Sequence, residues 1–141
     1  MRHYKSGSTW ALWRWTFVPT GYITRLHLVK TPWFAICLHW LNGPDPEPYL
    51  HDHPVDFLSI VLRGGYTESL DSGLSIVYPG AVTLSHRVRL FNLVSCETKH
   101  RITQVEPNTL TLTFMGPKMQ DWGFYLPSGR VSWQEYNRRY K

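Results

Sequence analysis

Apolar and polar residues alternate along this chain in short runs, broken every few positions by glycine, proline or asparagine. That is the spacing of strands and turns rather than of helices. From Trp10, the order Trp13, Trp15, Phe17 against Arg14 and Thr16 predicts a half-buried strand, or an aromatic edge strand able to pair with a second copy of the chain. Pro19-Thr20-Gly21 ends it. Strands follow from about Ile23 to Val29 and, after Thr31-Pro32, from Trp33 to Leu41. On the latter, His39 shares a face with Ala35 and Cys37 and reads as a packed strand residue. Pro44, Pro46 and Pro48 then alternate with polar residues, which excludes a central strand and makes a loop leading to His51.

Leu50-His51-Asp52-His53-Pro54 opens into a strand apolar on both faces, Leu58 to Leu62, and then Gly64-Gly65, a turn or bulge. Extended segments follow at Ser75 to Tyr78, Val82 to Asn92 and Lys99 to Val105. Glu106-Pro107-Asn108 turns the chain into Thr109 to Phe114, with leucines and phenylalanine on one face and threonines on the other. A short strand begins at Trp122 to Tyr125, and only Ser132 to Tyr140 has helical character, for about two turns. Short strands with regular turns and almost no helix predict an all-β barrel or sandwich. With no repeat or linker, residues 1–141 read as one domain with its core at about 22–137.

At 141 residues, 43% of them hydrophobic and 15% aromatic, the chain is long enough to bury a core without staples. No apolar run approaches the roughly 20 residues needed to span a bilayer. Arg14 interrupts the apolar stretch near the N-terminus and no small-residue cleavage site follows, so a cytoplasmic protein is expected. Cys37 and Cys96 form no metal or redox spacing and read as buried or idle thiols. The net charge of +5 gathers at the ends. Arg2, Lys5, Arg14, Arg25 and Lys30 stand in the first thirty residues without an acid, and Arg130, Arg138, Arg139 and Lys141 face only Glu135 at the other end. Basic termini suit nucleic acid or an acidic partner; a solvated surface is the simpler reading.

The chemistry-bearing pattern is His51-x-His53. Two residues apart on an extended strand, both rings point to one side and can converge on one metal ion, leaving a third ligand to come from elsewhere. His3 and His27 have no pattern to recommend them. His100 and His86 lie downstream, where a closing barrel returns beside the first pair; His100 is the preferred third ligand and His86 the alternative. For a carboxylate, Asp52 alternates away. Asp56 has the wrong parity unless Pro54 forces a bulge; otherwise it accepts a ring N–H from a ligand histidine or caps the Pro54 turn. Glu68, beyond the glycine turn, is a more distant ligand or supporting group. Tyr66, Arg87, Arg89 and Arg101 are candidates to hold an anionic substrate, although parity sets Arg101 opposite His100.

His51-x-His53, the apolar strand, Gly64-Gly65 and His100 ahead of a turn and strand resemble the cupin pattern of metal-binding double-stranded β-helices. Leu50-His51-Asp52-His53-Pro54, Gly64-Gly65-Tyr66-x-Glu68, His100-Arg101-Ile102 and Trp122-Gly123-Phe124 are similar, more closely, to a group of small cupin-like proteins of bacteria and phages, over residues 30–137. The resemblance implies a jelly-roll barrel with an N-terminal edge strand, holding iron, manganese, nickel or zinc on His51, His53 and His100. Two departures stand out. The cupin glutamate four or five positions after the second histidine is replaced by Phe57 and Leu58, and the group's tryptophans by Val55 and Arg130. The function implied is a metal-dependent, oxygenase-like enzyme acting on a small molecule. The missing glutamate keeps a non-catalytic ligand-binding or structural barrel as the alternative, and the basic termini keep a nucleic-acid-associated protein as a second. A 2-oxoglutarate oxygenase is disfavoured, since that class resembles HxD with a basic anchor about ten residues past its distal histidine, where Leu110 stands here. The aromatic edge strand makes a homodimer the expected state.

Overall fold

The computed structural model describes residues 11–12, 17–20, 22–71 and 83–141. The chain order is β1 (Ala11–Leu12), β2 (Phe17–Thr20), β3 (Ile23–Lys30), β4 (Ala35–Leu41), β5 (Leu50–His51), β6 (Phe57–Arg63), β7 (Tyr66–Asp71), β8 (Thr83–Val88), β9 (Phe91–Val94), β10 (His100–Val105), β11 (Thr109–Met115), β12 (Gly123–Leu126), β13 (Gly129–Ser132) and α1 (Trp133–Tyr140). Two antiparallel sheets form. The first runs β1-β3-β4-β11-β6-β9, with β2 also paired to β3, and the second runs β13-β12-β5-β10-β7-β8. β1 and β2 together border the first sheet, as an N-terminal edge strand in two pieces. Trp10, Trp13 and Trp15, on which that expectation rested, lie outside the described residues, as does the strand expected at Ser75 to Tyr78.

The tight turns β6–β7, β8–β9 and β10–β11 each carry the chain from one sheet to the other, which is how a jelly roll closes on itself. The step from β6 to β7 uses Gly64 at φ 76°, a conformation that L side chains rarely adopt. A Cβ there would stand 2.4 Å from Thr109 Oγ1. Thr109 ties that turn to the one before β11: its hydroxyl accepts from Gly65 N at 3.1 Å and lies 2.7 Å from Glu106 O. The segment expected as one extended run from Val82 to Asn92 is instead two strands with a turn at Arg89-Leu90. Tyr136 of α1 is buried against Phe124 and Leu126, on the face of the second sheet that carries His51.

β11 shows which face of the first sheet is inside. Thr109, Thr111 and Thr113 are buried to 2% exposure or less, whereas Leu110 and Leu112 are half-buried and Phe114 is exposed. The apolar face of this amphipathic strand therefore lies outside, and the hydroxyl face lines the barrel. β11 sits between β4 and β6, pairing Thr111 with His39 and Thr113 with Cys37 and Ser59. Ser59 in turn pairs with Asn92 on β9. The interior wall of this sheet is thus a polar strip, ended by Leu41 of β4, which packs against Tyr66 and Val88 of the second sheet.

Candidate metal centre

The histidine pair does not share one strand. β5 ends at His51, and the backbone then splits its hydrogen bonds between two neighbours: Asp52 N donates to Gly123 O and His53 N to Cys96 O, both at 3.1 Å. Pro54, lacking an N–H, cannot continue a ladder. The rings meet nonetheless. His51 is the Cα partner of His100 across β5 and β10, with ring centroids 4.9 Å apart. His53 comes round from the loop to 5.1 Å from His51 and 4.6 Å from His100.

One nitrogen from each ring lies within 4.8 Å of the others, and Nε2 of His53 stands 3.1 Å from Nε2 of His100. Two nitrogens bound about 2.1 Å from one ion, at about 90–109° to each other, are roughly 3.0–3.4 Å apart. The His53–His100 spacing therefore fits chelation, with the His51 nitrogen within 4.8 Å of both. So does the protonation state: burial first, then His100 alongside, pushes His51 down to about 3. The same causes in the same order push His53 well below its ordinary value. Both imidazoles are neutral at pH 7 and offer lone pairs.

The second nitrogen of His100 is held from behind. Its Nδ1 lies 2.9 Å from Oε2 of Glu68, which is 1% exposed. Asn92 Nδ2 donates to the same oxygen at 3.1 Å and also to the Tyr66 hydroxyl at 3.1 Å. Oε1 of Glu68 faces His86 Nδ1 at 3.1 Å. Burial alone would raise the Glu68 carboxyl, but hydrogen bonds from His100, His86 and Asn92 outweigh it and hold it below its ordinary value. With Nδ1–H donated to Glu68, His100 is fixed in the tautomer whose Nε2 is free for a metal.

Asp52, between the two loop histidines, points the other way, as its parity demands. It accepts from Gly123 N at 2.7 Å, Tyr125 OH at 2.8 Å and Arg130 Nε at 3.0 Å, and is 2% exposed. Arg130, one of the two departures noted in the sequence, is thus the charge partner that lets Asp52 be buried.

The triad opens onto a cavity of about 360 Å³, near the lower end of the range for small-molecule sites. Trp122 and Phe57 flank the histidines, and Phe57, one of the two positions where a cupin glutamate would stand, packs edge-on to His53 at 4.9 Å. Among the described residues no carboxylate oxygen joins the three nitrogens. Asp45 Oδ2 lies 4.0 Å from His51 Nε2. Its loop, residues 42–49, turns the prolines outward and Asp45, Glu47 and Tyr49 inward. It is laced to β10 by Asp45 N to Ile102 O at 3.0 Å, Ile102 N to Asp45 Oδ2 at 2.8 Å and Arg101 Nε to Glu47 O at 2.7 Å. Lys141 adds an ion pair to Glu47 at 2.8 Å.

In comparisons with known proteins, no family model and no curated protein matches the sequence. Solved structures do match. A candidate mannose-6-phosphate isomerase from Ralstonia eutropha is similar at TM-score 0.53 and 18% identity, over 71% of this chain and 91% of that one. An RmlC-like cupin from Shewanella frigidimarina is similar at TM-score 0.50 and 16% identity, over 86% and 96%. The fold is that of a cupin. Fe(II)-HppE with an alternative substrate is similar at TM-score 0.50 and 13% identity, over 69% of this chain and 50% of that one.

Within this cupin barrel the other sequence candidates are placed as follows. Asp56 is exposed and its Oδ1 accepts from Cys96 N at 2.6 Å, on the loop side of the site. His86 stands behind Glu68, away from the other histidines, with a side chain 46% exposed. Tyr66 is buried on the cavity wall, and burial above all pushes its hydroxyl up to about 12. Arg87 pairs with Glu106 at the surface and Arg89 is exposed. Arg101 grips the 42–49 loop from the face opposite His100, as parity required. None of these three arginines lines the cavity.

Sequence reasoning took His39 for a packed strand residue and Arg25 for part of the basic N-terminal charge, and singled out none of Ser59, Asn92, Thr111 and Thr113. His39 faces the cavity, and burial, then Arg25 and His27, pushes it down to about 3. The available signal was a shared polar parity on neighbouring strands: Arg25, His39 and Thr111 stand in one register row.

Proposed function

We propose that this cupin-fold protein is a metal-dependent enzyme acting on a small molecule, with one divalent transition metal, such as iron, manganese, nickel or zinc, held by His51, His53 and His100. The observation that carries this reading is the convergence of three ring nitrogens within 4.8 Å on the wall of a cavity, one of them backed by a buried carboxylate. The metal would supply a Lewis-acid centre with open positions for a ligand oxygen and, for iron or manganese, redox chemistry. Fe(II)-HppE, a fold neighbour, carries iron in this architecture. The chain's own residues do the rest. Glu68 fixes the tautomer of His100, Asp52 anchors the His51–His53 loop to β12, and Phe57 and Trp122 screen the centre from water. The Tyr66 hydroxyl stays protonated at neutral pH and can donate to a bound ligand.

The deciding experiment is metal analysis of the purified, untagged protein beside a His51→Ala/His53→Ala variant. About one equivalent of transition metal in the parent, lost in the variant, is the expected result. No metal in either, even after reconstitution, would refute the reading and favour a barrel that binds ligands without catalysis.

A homodimer in the cytoplasm belongs to the same proposal. Cys37 and Cys96 are unpaired and buried, which suits a reducing compartment. β9 is an edge strand of the first sheet and carries Phe91 at 65% and Leu93 at 76% exposure, beside Leu90 at 75%. Such an edge is self-complementary in antiparallel pairing. A monomer by size-exclusion chromatography with light scattering would exclude it. No helix among the described residues is long and apolar enough to cross a membrane.

A further inference from the structure

The polar wall facing the histidines holds two groups with nothing to bond. Arg25 Nε and His39 Nε2 are both buried, and neither has a hydrogen-bond partner. Leaving a buried donor unpaired costs its full desolvation, so such groups in a cavity wall call for a ligand. The two residues are Cα partners on β3 and β4, and both line the cavity. No carboxylate of the described residues forms an ion pair with Arg25.

His39 is oriented rather than loose. Its Nδ1 lies 3.3 Å from Thr113 Oγ1, which lies 3.5 Å from Thr111 Oγ1. When the threonine hydroxyls donate along this chain towards Nδ1, the remaining proton of the neutral ring sits on Nε2 and points into the cavity. One guanidinium with an adjacent neutral N–H donor is the equipment for a monoanion with two oxygens in a plane. A phosphate dianion would call for a second cation, and among the described residues the cavity lining holds no lysine or arginine besides Arg25.

We propose that the cavity takes a small organic acid, its carboxylate bound by Arg25 and His39 and its reacting end directed towards His51, His53 and His100. This rests on the metal reading for the reacting end, but not for the carboxylate. The class is a hydroxy or oxo monocarboxylic acid: the charged end fixes orientation on the first sheet and a neutral oxygen faces the triad on the second. An uncharged analogue of the same shape would leave Arg25 desolvated and unpaired, which is the kind of penalty that gives large discrimination.

The test is equilibrium binding of glycolate, 3-hydroxypropionate, 4-hydroxybutyrate and 5-hydroxyvalerate, of their uncharged amides, and of inorganic phosphate. Each is titrated into metal-free and metal-loaded protein, with intrinsic tryptophan fluorescence or ligand-observed NMR as the readout. At least one acid is expected to bind ten-fold or more tighter than its amide in both forms. Arg25→Gln should abolish that preference, and Arg25→Lys should keep part of it. His39→Gln should weaken the acid several-fold and leave the amide unchanged. Melting curves and the metal content of each variant show whether the barrel and its triad remain intact. Acids and amides binding alike, no binding by any acid, an acid preference that survives Arg25→Gln, or phosphate binding tighter than every acid would each overturn the proposal. Arg25-dependent acid binding by a protein that takes up no metal would uphold the carboxylate site while refuting the metal reading.

Discussion

Replacing Glu68 by glutamine removes one charge from the site and almost none of its shape. The carboxylate receives Nδ1 of His100 at 2.9 Å and Nδ2 of Asn92 at 3.1 Å on one oxygen, and faces His86 at 3.1 Å with the other. A glutamine whose oxygen takes the first position keeps the His100 and Asn92 bonds and turns its NH₂ to His86, whose neutral ring can accept. What is lost is the charge assistance. A hydrogen bond to a charged group contributes about 1.5–3 kcal/mol and a neutral one about 0.5–1.5, a difference of about 1–1.5 kcal/mol for the buried His100 bond. That difference weakens the lone pair on His100 Nε2 and corresponds to roughly ten-fold in metal affinity. Glu68→Ala removes the acceptor and the tautomer lock together, and its loss should approach about a hundred-fold. Competition of the metal-free proteins against a chromophoric chelator for Zn(II) or Co(II) at pH 7.5 measures both. Thermal melts of the same samples separate loss of affinity from loss of fold. If Glu68→Gln binds within two-fold of the parent while His100→Ala binds far more weakly, Glu68 does not tune the ligand and the reasoning fails.

Asp52→Asn should cost about 2–3 kcal/mol in urea unfolding, because its amide must meet Arg130 Nε or Gly123 N donor to donor. A double-mutant cycle with Arg130→Gln that shows no coupling would contradict this. The metal-free protein should lose stability on mild acidification. His39 and His51 titrate at about 3 in the folded state, below the unfolded value of about 6.5, so from about pH 6.5 down to 3 the unfolded chain takes up protons that the folded one refuses. Stability then rises with pH across that window, and each histidine should remove about 2 kcal/mol by pH 5. Urea titrations at pH 7, 6 and 5 that superpose would count against buried neutral rings.

Much of the barrel can be read from period alone. The strands at Ile23, Phe57, His100 and Thr109 sit within a few residues of where alternation and turn residues put them. Alternation gives two faces without saying which is inside. On β11 the usual rule, leucines in and threonines out, is inverted, because the enclosed space is a cavity walled by polar groups. The same ambiguity hid His39 and Arg25, which look like ordinary strand residues until three strands stand side by side. The triad was more legible, because His51 and His53 are two residues apart and His100 opens a strand of its own. What spacing could not supply was the route: the rings converge through a loop bent by two diverging backbone bonds. Glu68 could be named from the sequence as a distant ligand or supporting group, but its partner could not, since its reach to His100 depends on the pairing of β7 with β10.

The laced loop at 42–49 bears on how anything enters the cavity. Pro44, Pro46 and Pro48 narrow the unfolded ensemble of this segment, each lowering the entropy lost on folding by the equivalent of about 0.4–1 kcal/mol where its geometry suits the native backbone. Hydrogen bonds from β10 and the ion pair with Lys141 then hold the folded form. The wall bearing Asp45 is therefore rigid before a guest arrives, and none of the guest's binding free energy goes into ordering it. Exchange through this side should be slow and its selectivity a matter of fixed shape, closer to a mould than to a closing hand.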